Sequence, residues 1–569
     1  MIVFLNALTE RQQFIALMVI SAVLILAGLG LRDPWPADEP RFALIAKDMI
    51  DSGQWFFPSR GGELYPDKPP VFMWSIALFY ALTGSITVAF LIPSALAGLA
   101  TVYLTYRAGS MLWDRQTGLL SGFLLLFCFQ FLLQAKSAQI DALVCAFITL
   151  GCYSLLRFLL YDGQWRWYLL AWVAMGLGVI TKGVGFLPLL MLIPYVIARW
   201  SGAHHLAPIQ REHWLKWASG PVVMLAAIGC WLIPMLLIVA GSDDTALAAY
   251  RDNILFRQTV TRYADSWHHI KPFWYFVVSV IPAFWLPLTL LLPWLIPQWV
   301  RAFRQQDARI ILTLSWVLLV ILFFSMSPGK RGVYIFPALP ILCVAAGPYL
   351  RQVFSKPLPS WLIWGLTTLL AVALLGLGIA GELGVKAAVK LQAKYEISPW
   401  AFFMTVGVWG IVVVIANARR QRWLSWPAFL AGLWVLYSTW GYSLLEDVKT
   451  PKPVFDTMAA FVPDDAQLGL VDFSEQFILF SPYPVTHFGY HTPTEDQLKA
   501  AYQWLGEKPH RYILLDKSHI SGDCFMPDKA IDAGYAHRTH WVLLGRETRT
   551  EQCERPASDV HTYTTIKRQ

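Results

Sequence analysis

The chain has 569 residues, of which 56% are hydrophobic and only 14% charged; a soluble domain carries about a quarter charged residues. Apolar runs of about 20 residues recur, long enough to cross a hydrocarbon layer of about 30 Å as helices, which excludes a soluble globular protein. The runs are continuous, not alternating, which excludes a membrane β-barrel, and the net charge of +8 comes with no nucleic-acid motif and sits largely in membrane-flanking loops, where topology and anionic lipid account for it.

The first apolar run, 14–31, is too long for the core of a cleavable signal and has no small-residue cleavage site near its end, so it reads as a signal anchor. Twelve further spans are predicted at 88–107, 116–134, 139–158, 167–181, 183–200, 217–240, 272–298, 309–325, 333–350, 360–380, 399–417 and 425–444. The chain is thus predicted to be an α-helical polytopic membrane protein with about 13 transmembrane helices. Val71 to Gly84 is apolar but short, bounded by Pro69, Pro70 and Gly84, and reads as an interfacial or re-entrant helix. With the N-terminus inside, the inner loops hold Arg107 and Arg115, Arg157 and Arg166, Arg301, Arg304 and Arg309, and Arg419, Arg420 and Arg422. That is the positive-inside pattern, and thirteen spans then place the C-terminus outside.

The outer face collects loop 32–70, KSAQID at 136–141, TKG at 181–183, loop 241–271, SPGKRG at 327–332, loop 381–398 and the tail. Within loop 241–271 the stretch Ala246–Val260 is amphipathic and predicts a helix lying along the interface. Residues 1–445 form the membrane part, and 446–569 a small α/β domain. Its strands are predicted in QLGLVDF, RYILLDK and HWVLLG, with a helix in TEDQLKAAYQWLGE opened by a capping Thr. This domain has no Gly-rich phosphate loop, and its expected role is to cover the membrane site or contact a partner. Five cysteines lie in apolar runs as packing residues; only Cys524 and Cys553 lie in the polar tail, where an exterior location would allow a disulfide.

On this topology Asp38, Glu39, Lys68, Asp141, Lys182, Arg262 and Lys330 fall at one membrane surface. An ionisable residue at a helix end, such as Asp141 or Lys182, is costly unless paired or hydrated. Cations beside carboxylates suit a phosphate-bearing substrate: Lys and Arg bind phosphate, and an Asp orients or deprotonates an attacking group. Snorkelling charges at helix ends are the ordinary alternative. Asp67 with His268 and His269 has the chemistry of a zinc set but no local ligand spacing, so an interfacial His pair is the simpler reading. Tyr334 could hydrogen-bond a phosphate or serve as an interfacial anchor.

The segment DEPRFALIAKDMIDSGQWFFPSRGGELYPDKPPVFMW resembles the first outer loop of bacterial lipid-linked sugar transferases. These are relatives of the protein O-mannosyltransferases and include the transferase that adds 4-amino-4-deoxy-L-arabinose to lipid A. The likeness continues through IDALVCAF, GVITKGVGFLPLL, SMSPGKRGVYIFPALP and VKTPKPVFDTMAAFVP, nearly the whole chain. It implies a GT-C fold, a location in the bacterial inner membrane with the N-terminus cytoplasmic and the C-terminal domain periplasmic, and an undecaprenyl (polyprenyl) phosphate-linked sugar donor. The implied acceptor is lipid A or another glycan, with no required cofactor.

By the same resemblance, Asp38 is the principal catalytic carboxylate and Asp141 the second acid. Lys68, Lys182, Arg262 and Tyr334 grip donor or acceptor phosphate, with Glu39, Arg41 and Lys330 also counted in the substrate-binding set. The chain departs from the family pattern at Asp67, where Glu is usual before the KPP lysine, and at Arg331, where Leu is usual. The competing readings are a same-fold transferase acting on O-antigen, a polysaccharide or protein, and a lipid or sugar transporter. Transporters carry repeats and midplane charges; here no repeat is visible and the ionisable residues gather at one face.

Overall fold

Where the sequence carries long apolar runs the backbone is helical, because in hydrocarbon its N–H and C=O groups must be satisfied within the segment. The computed structural model describes residues 9–208, 214–256, 270–419, 421–520 and 522–565. Seven helices among these are long and apolar enough to cross a membrane: Ile86–Leu112, Ile140–Asp162, Trp214–Ala240, Ala308–Met326, Pro357–Glu382, Trp400–Asn417 and Arg422–Lys449. Two bent pairs, Arg115–Leu126 with Phe129–Ala135 and Phe276–Phe284 with Leu288–Arg304, raise the count to nine if each pair is one span. The protein is a multi-pass membrane protein. The other predicted spans are helical too, but shorter or less apolar: Glu10–Leu26, Trp165–Lys182, Val184–Trp200 and, within 333–350, Ala338–Ala346.

The first of these differs from its predicted bounds for a local reason. A capping box of Thr9 and Gln12 starts Glu10–Leu26, and the apolar sequence beyond it turns at Gly28 and Gly30, both with positive φ. A Cβ on Gly28 would lie 1.9 Å from the Ser438 carbonyl oxygen, so this turn is pressed against the Arg422–Lys449 helix.

The bent pairs meet at their bends, which measure 72° and 113°. The Phe129 N–H, freed at the first break, donates to the Leu286 carbonyl at the second over 3.1 Å. The Trp285 indole donates to Gln130 Oε1 at 2.7 Å, and the Trp426 indole to the Phe127 carbonyl at 2.9 Å. Each break thus supplies partners for backbone groups the other leaves open, as irregular backbone at membrane depth requires. The predicted straight span at 272–298 is therefore two helices, with Pro287, which has no N–H, starting the second.

Loop 32–70 folds into the helix Glu39–Ser52 and a two-stranded hairpin, β1 (Ser59–Arg60) and β2 (Glu63–Leu64). The helix Val71–Thr83 follows; at 13 residues it is about 20 Å long, too short to cross. Its Phe72 ring meets Phe42 of Glu39–Ser52 edge-on at 5.3 Å. In loop 241–271 a helix runs over Thr245–Asp252, capped by the Asp244 carboxylate accepting from Ala246 N–H at 2.8 Å. The remainder of that predicted helix, beyond Phe256, lies outside the described residues.

The C-terminal part contains β3 (Gln467–Leu470), β4 (Val485–His487), β5 (Arg511–Asp516), β6 (Ile531–Ala536), β7 (Thr539–Leu544) and β8 (Tyr563–Thr564). They form one mixed sheet in the order β6-β7-β5-β3-β4-β8, parallel at β4-β3-β5 and antiparallel elsewhere. The three predicted strands are β3, β5 and β7. The predicted helix spans Thr494–Glu507, but Thr494 is its first residue and not its cap; its hydroxyl donates to Asp472 Oδ1 at 2.8 Å. Leu468 and Leu470 share a core with Phe477, Ile478 and Phe42, whereas Ile513 and Leu515 pack with Leu498, Trp504 and Leu505. One face of the sheet therefore rests on the membrane part, and the other is covered by Thr494–Glu507. Cys524 and Cys553 are disulfide-bonded, with 4.7 Å between their Cα atoms.

Candidate active site

Asp38 stands at the cap position of Glu39–Ser52 but makes no capping hydrogen bond. Pro40 in the first turn carries no N–H to satisfy, which lessens the need for one. The carboxylate instead faces outward from the helix. Its Oδ2 accepts from Gln139 Nε2 at 3.3 Å and Arg331 Nη2 at 3.4 Å, and its Oδ1 lies 3.5 Å from Arg41 Nη1. Two distant segments thus reach a carboxylate that is about 20% exposed, beside an arginine of its own helix.

Gln139 stands at the cap position of the helix Ile140–Arg157, without a capping hydrogen bond, and that helix carries Asp141 in its first turn. Asp141 Oδ1 pairs with Lys182 Nζ at the last residue of Trp165–Lys182. The placement is favourable on both sides: a carboxylate at a helix N-terminus and an ammonium at a C-terminus each complement the helix dipole. The Lys182 ammonium also lies 5.2 Å from the centre of the Tyr334 ring. Gln139 lies two residues before Asp141 and Arg331 three before Tyr334, so Asp38 meets the two segments that carry the Asp141–Lys182 pair and Tyr334.

Glu39, beside Asp38, is turned the other way. Its oxygens receive Arg32 Nη1, Arg32 Nη2 at 2.8 Å, Trp35 N–H at 2.9 Å and Ala138 N–H at 2.9 Å. The Arg32 guanidinium lies among the rings of Trp35, Phe90 and Tyr442. Glu39 is thus occupied in holding the loop to the Phe129–Ala135 end, not in facing a ligand. Lys330 is also buried, with its ammonium donating to the Lys271 carbonyl at 2.9 Å. Lys68 donates to the Asp67 carbonyl at 3.0 Å. Arg41 donates through Nε to Glu475 Oε1 at 2.7 Å, across to the sheet-containing C-terminal region.

Residues 67–233 match the family described as dolichyl-phosphate-mannose-protein mannosyltransferase. The undecaprenyl phosphate-alpha-4-amino-4-deoxy-L-arabinose arabinosyl transferase 1 of Pseudomonas fluorescens is 30% identical over 397 residues, covering 68% of this chain and 67% of that protein. The chain belongs to this arabinosyl transferase family. The transferase of the same name from Pseudomonas aeruginosa is 29% identical over 445 residues, 75% of each chain. Among solved structures, ArnT from Cupriavidus metallidurans bound to undecaprenyl phosphate matches with a TM-score of 0.69 at 20% identity, over 93% of this chain and 97% of that one. The apo oligosaccharyltransferase of Archaeoglobus fulgidus matches with a TM-score of 0.50 at 12% identity, over 89% of this chain and 69% of that one. At these identities the structural matches show the fold, which is the GT-C fold.

Arg262, His268 and His269 lie outside the described residues. Among the described residues no group of three His, Cys, Asp or Glu side chains could hold a metal ion. Sequence reading missed Gln139, whose signal was its position two residues before Asp141, and Glu475, which carries none. It noted Arg331 only as a departure from the family pattern; the structure sets that guanidinium against Asp38.

Proposed function

We propose that the chain moves 4-amino-4-deoxy-L-arabinose from undecaprenyl phosphate to a phosphate of lipid A, at the periplasmic face of the bacterial inner membrane. Membership in the arabinosyl transferase family supports the donor. The observation that carries the chemistry is the partly exposed Asp38 carboxylate with guanidinium neighbours Arg41 and Arg331, which also meets Gln139, two residues before the acid of the Asp141–Lys182 pair. The N-terminus would be cytoplasmic and the C-terminal domain, from about residue 446, periplasmic; the Cys524–Cys553 disulfide suits that compartment.

In this reading the acceptor oxygen attacks the anomeric carbon, its bond to the sugar forms as the carbon–oxygen bond to polyprenyl phosphate breaks, and configuration inverts. Negative charge grows on the departing phosphate, so preorganised cations stabilise the transition state without a protein nucleophile. An ammonium has three N–H donors. Lys182 gives one to Asp141 and offers the others to a phosphate oxygen, beside the Tyr334 ring 5.2 Å away; Lys68 joins that set by the family resemblance. Asp38 orients the acceptor and stabilises positive charge developing on the sugar. A lipid A phosphate is already ionised and needs orientation more than deprotonation; a hydroxyl acceptor would make Asp38 a general base. Mass spectrometry of lipid A from cells with and without the gene tests the acceptor. The expected result is a pentosamine-sized mass increment that depends on the protein. Unaltered lipid A, with the sugar on another glycan or on protein, would replace the acceptor in this reading.

A further inference from the structure

Resting on that reading, we propose that Glu475 of the C-terminal domain is a positioning residue for transfer: it fixes the Arg41 guanidinium that in turn orients the Asp38 carboxylate. The two ends of this line are far apart in sequence. Glu475 opens the helix Glu475–Phe480, which packs on Glu39–Ser52. Its side chain is about 10% exposed, and its Oε1 accepts from Arg41 Nε at 2.7 Å and Arg60 Nη1 at 3.4 Å.

The geometry gives this contact a consequence beyond docking. A guanidinium is planar, with its donors in a rigid fork. Anchoring Nε sets both the plane of Arg41 and the direction of its Nη groups, and Nη1 is the one that lies 3.5 Å from Asp38 Oδ1. On its other side Asp38 meets Arg331 and Gln139, which come from the membrane part. The carboxylate is therefore held between a cation on the membrane body and a cation whose orientation is set by the C-terminal domain. Arg60 is held separately, its guanidinium 3.4 Å from the centre of the Tyr490 ring, so the shared carboxylate of Glu475 does not depend on Arg41 for its place. The domain on this account contributes to the site and is more than a cover over it.

The test uses the full-length protein in membranes, with undecaprenyl phosphate-linked aminoarabinose as donor and lipid A as acceptor. Glu475→Gln, which keeps the shape but weakens the hold on Arg41, is expected to lower kcat on the order of 100-fold, the cost of a misplaced group of about 1 Å. KM for the donor should stay within about twofold, because the phosphate-binding groups are untouched. Glu475→Asp, one methylene shorter with the charge kept, should recover part of the kcat, and it carries the test if the Gln variant fails to accumulate. Glu63→Ala is the structural control: it removes a different contact of the same docking surface, the Tyr490 N–H donated to Glu63 at 2.7 Å. A purely structural Glu475 would make its variants behave like Glu63→Ala, with kcat retained. Wild-type transfer with kcat unaltered in both Glu475 variants overturns the positioning role alone. No transfer by wild type to any acceptor overturns the proposed function, and this inference with it.

Discussion

Two neighbouring acids should fail in opposite ways. Glu39 and Arg32 have side chains only 9% and 3% exposed. Glu39→Ala leaves the Arg32 guanidinium buried without its carboxylate, a loss of about 3–5 kcal/mol. It also strips the Trp35 and Ala138 N–H groups of their acceptor, at about 1–3 kcal/mol for each buried donor left unpaired. These losses overlap, and a total on the order of 5 kcal/mol is set against a native stability of about 5–15 kcal/mol. Asp38→Asn removes only contacts of 3.3–3.5 Å at a partly exposed carboxylate, and the amide oxygen still accepts. Its stability cost is therefore within about 1 kcal/mol. The assay is abundance in membranes and the thermal midpoint of the detergent-solubilised protein. Glu39→Ala should fail to accumulate or lose on the order of 10 °C; Asp38→Asn should match wild type in both while losing transfer. A Glu39→Ala protein as abundant and heat-resistant as wild type would refute the assignment of Glu39 to the loop's framework.

Three further outcomes follow from other parts of the molecule. Lys182→Met should abolish transfer and lower stability by about 1–3 kcal/mol, since Asp141 keeps some solvent contact; adding Asp141→Asn should restore abundance but not transfer, as measured by membrane content and activity together. His487 is pushed down to about 4 by burial, with its Nε2 bonded to the Gly61 carbonyl at 2.9 Å and its Nδ1 accepting from Gly489 N–H, an arrangement that suits the neutral ring. The unfolded chain takes up this proton near pH 6.5 and the folded one only near 4, so stability is retained above about 6.5 and falls by up to about 3 kcal/mol as pH drops to 4; thermal midpoints should show a smaller acid loss in His487→Gln than in wild type. Replacing both Cys524 and Cys553 with Ser frees a cross-link of 29 residues, worth about 3–4 kcal/mol by loop-closure entropy; proteolysis of the full chain should cut the C-terminal domain sooner than in wild type.

Much of this architecture was legible because hydrocarbon demands it. Every predicted span contains helix, though some are broken or cut short, and Asp38 meets Gln139 and Arg331 from the segments that carry Asp141 and Tyr334. What the sequence hid is where contacts across long separations decide the outcome. Asp38 and Glu39 read as a pair, yet the helix start turns one toward Gln139 and Arg331 and the other into the ring of donors around Arg32. The break at Phe127–Cys128 has no proline to announce it and exists because Leu286 and Trp426 supply partners there. The two-residue β8 and three-residue β4 are too short to show a period; they are strands because β3 offers an edge and β4 then offers another. Glu475 sits in a helix of six residues, and only docking on Glu39–Ser52 brings it to Arg41.

The central claim is that Asp38 is the carboxylate on which transfer depends. Its most direct test is transfer of labelled aminoarabinose from undecaprenyl phosphate to lipid A by purified wild-type protein and by Asp38→Asn at equal amount. The account predicts transfer by wild type and none above background by the variant, with the two proteins equally stable. Undiminished transfer by Asp38→Asn would contradict it.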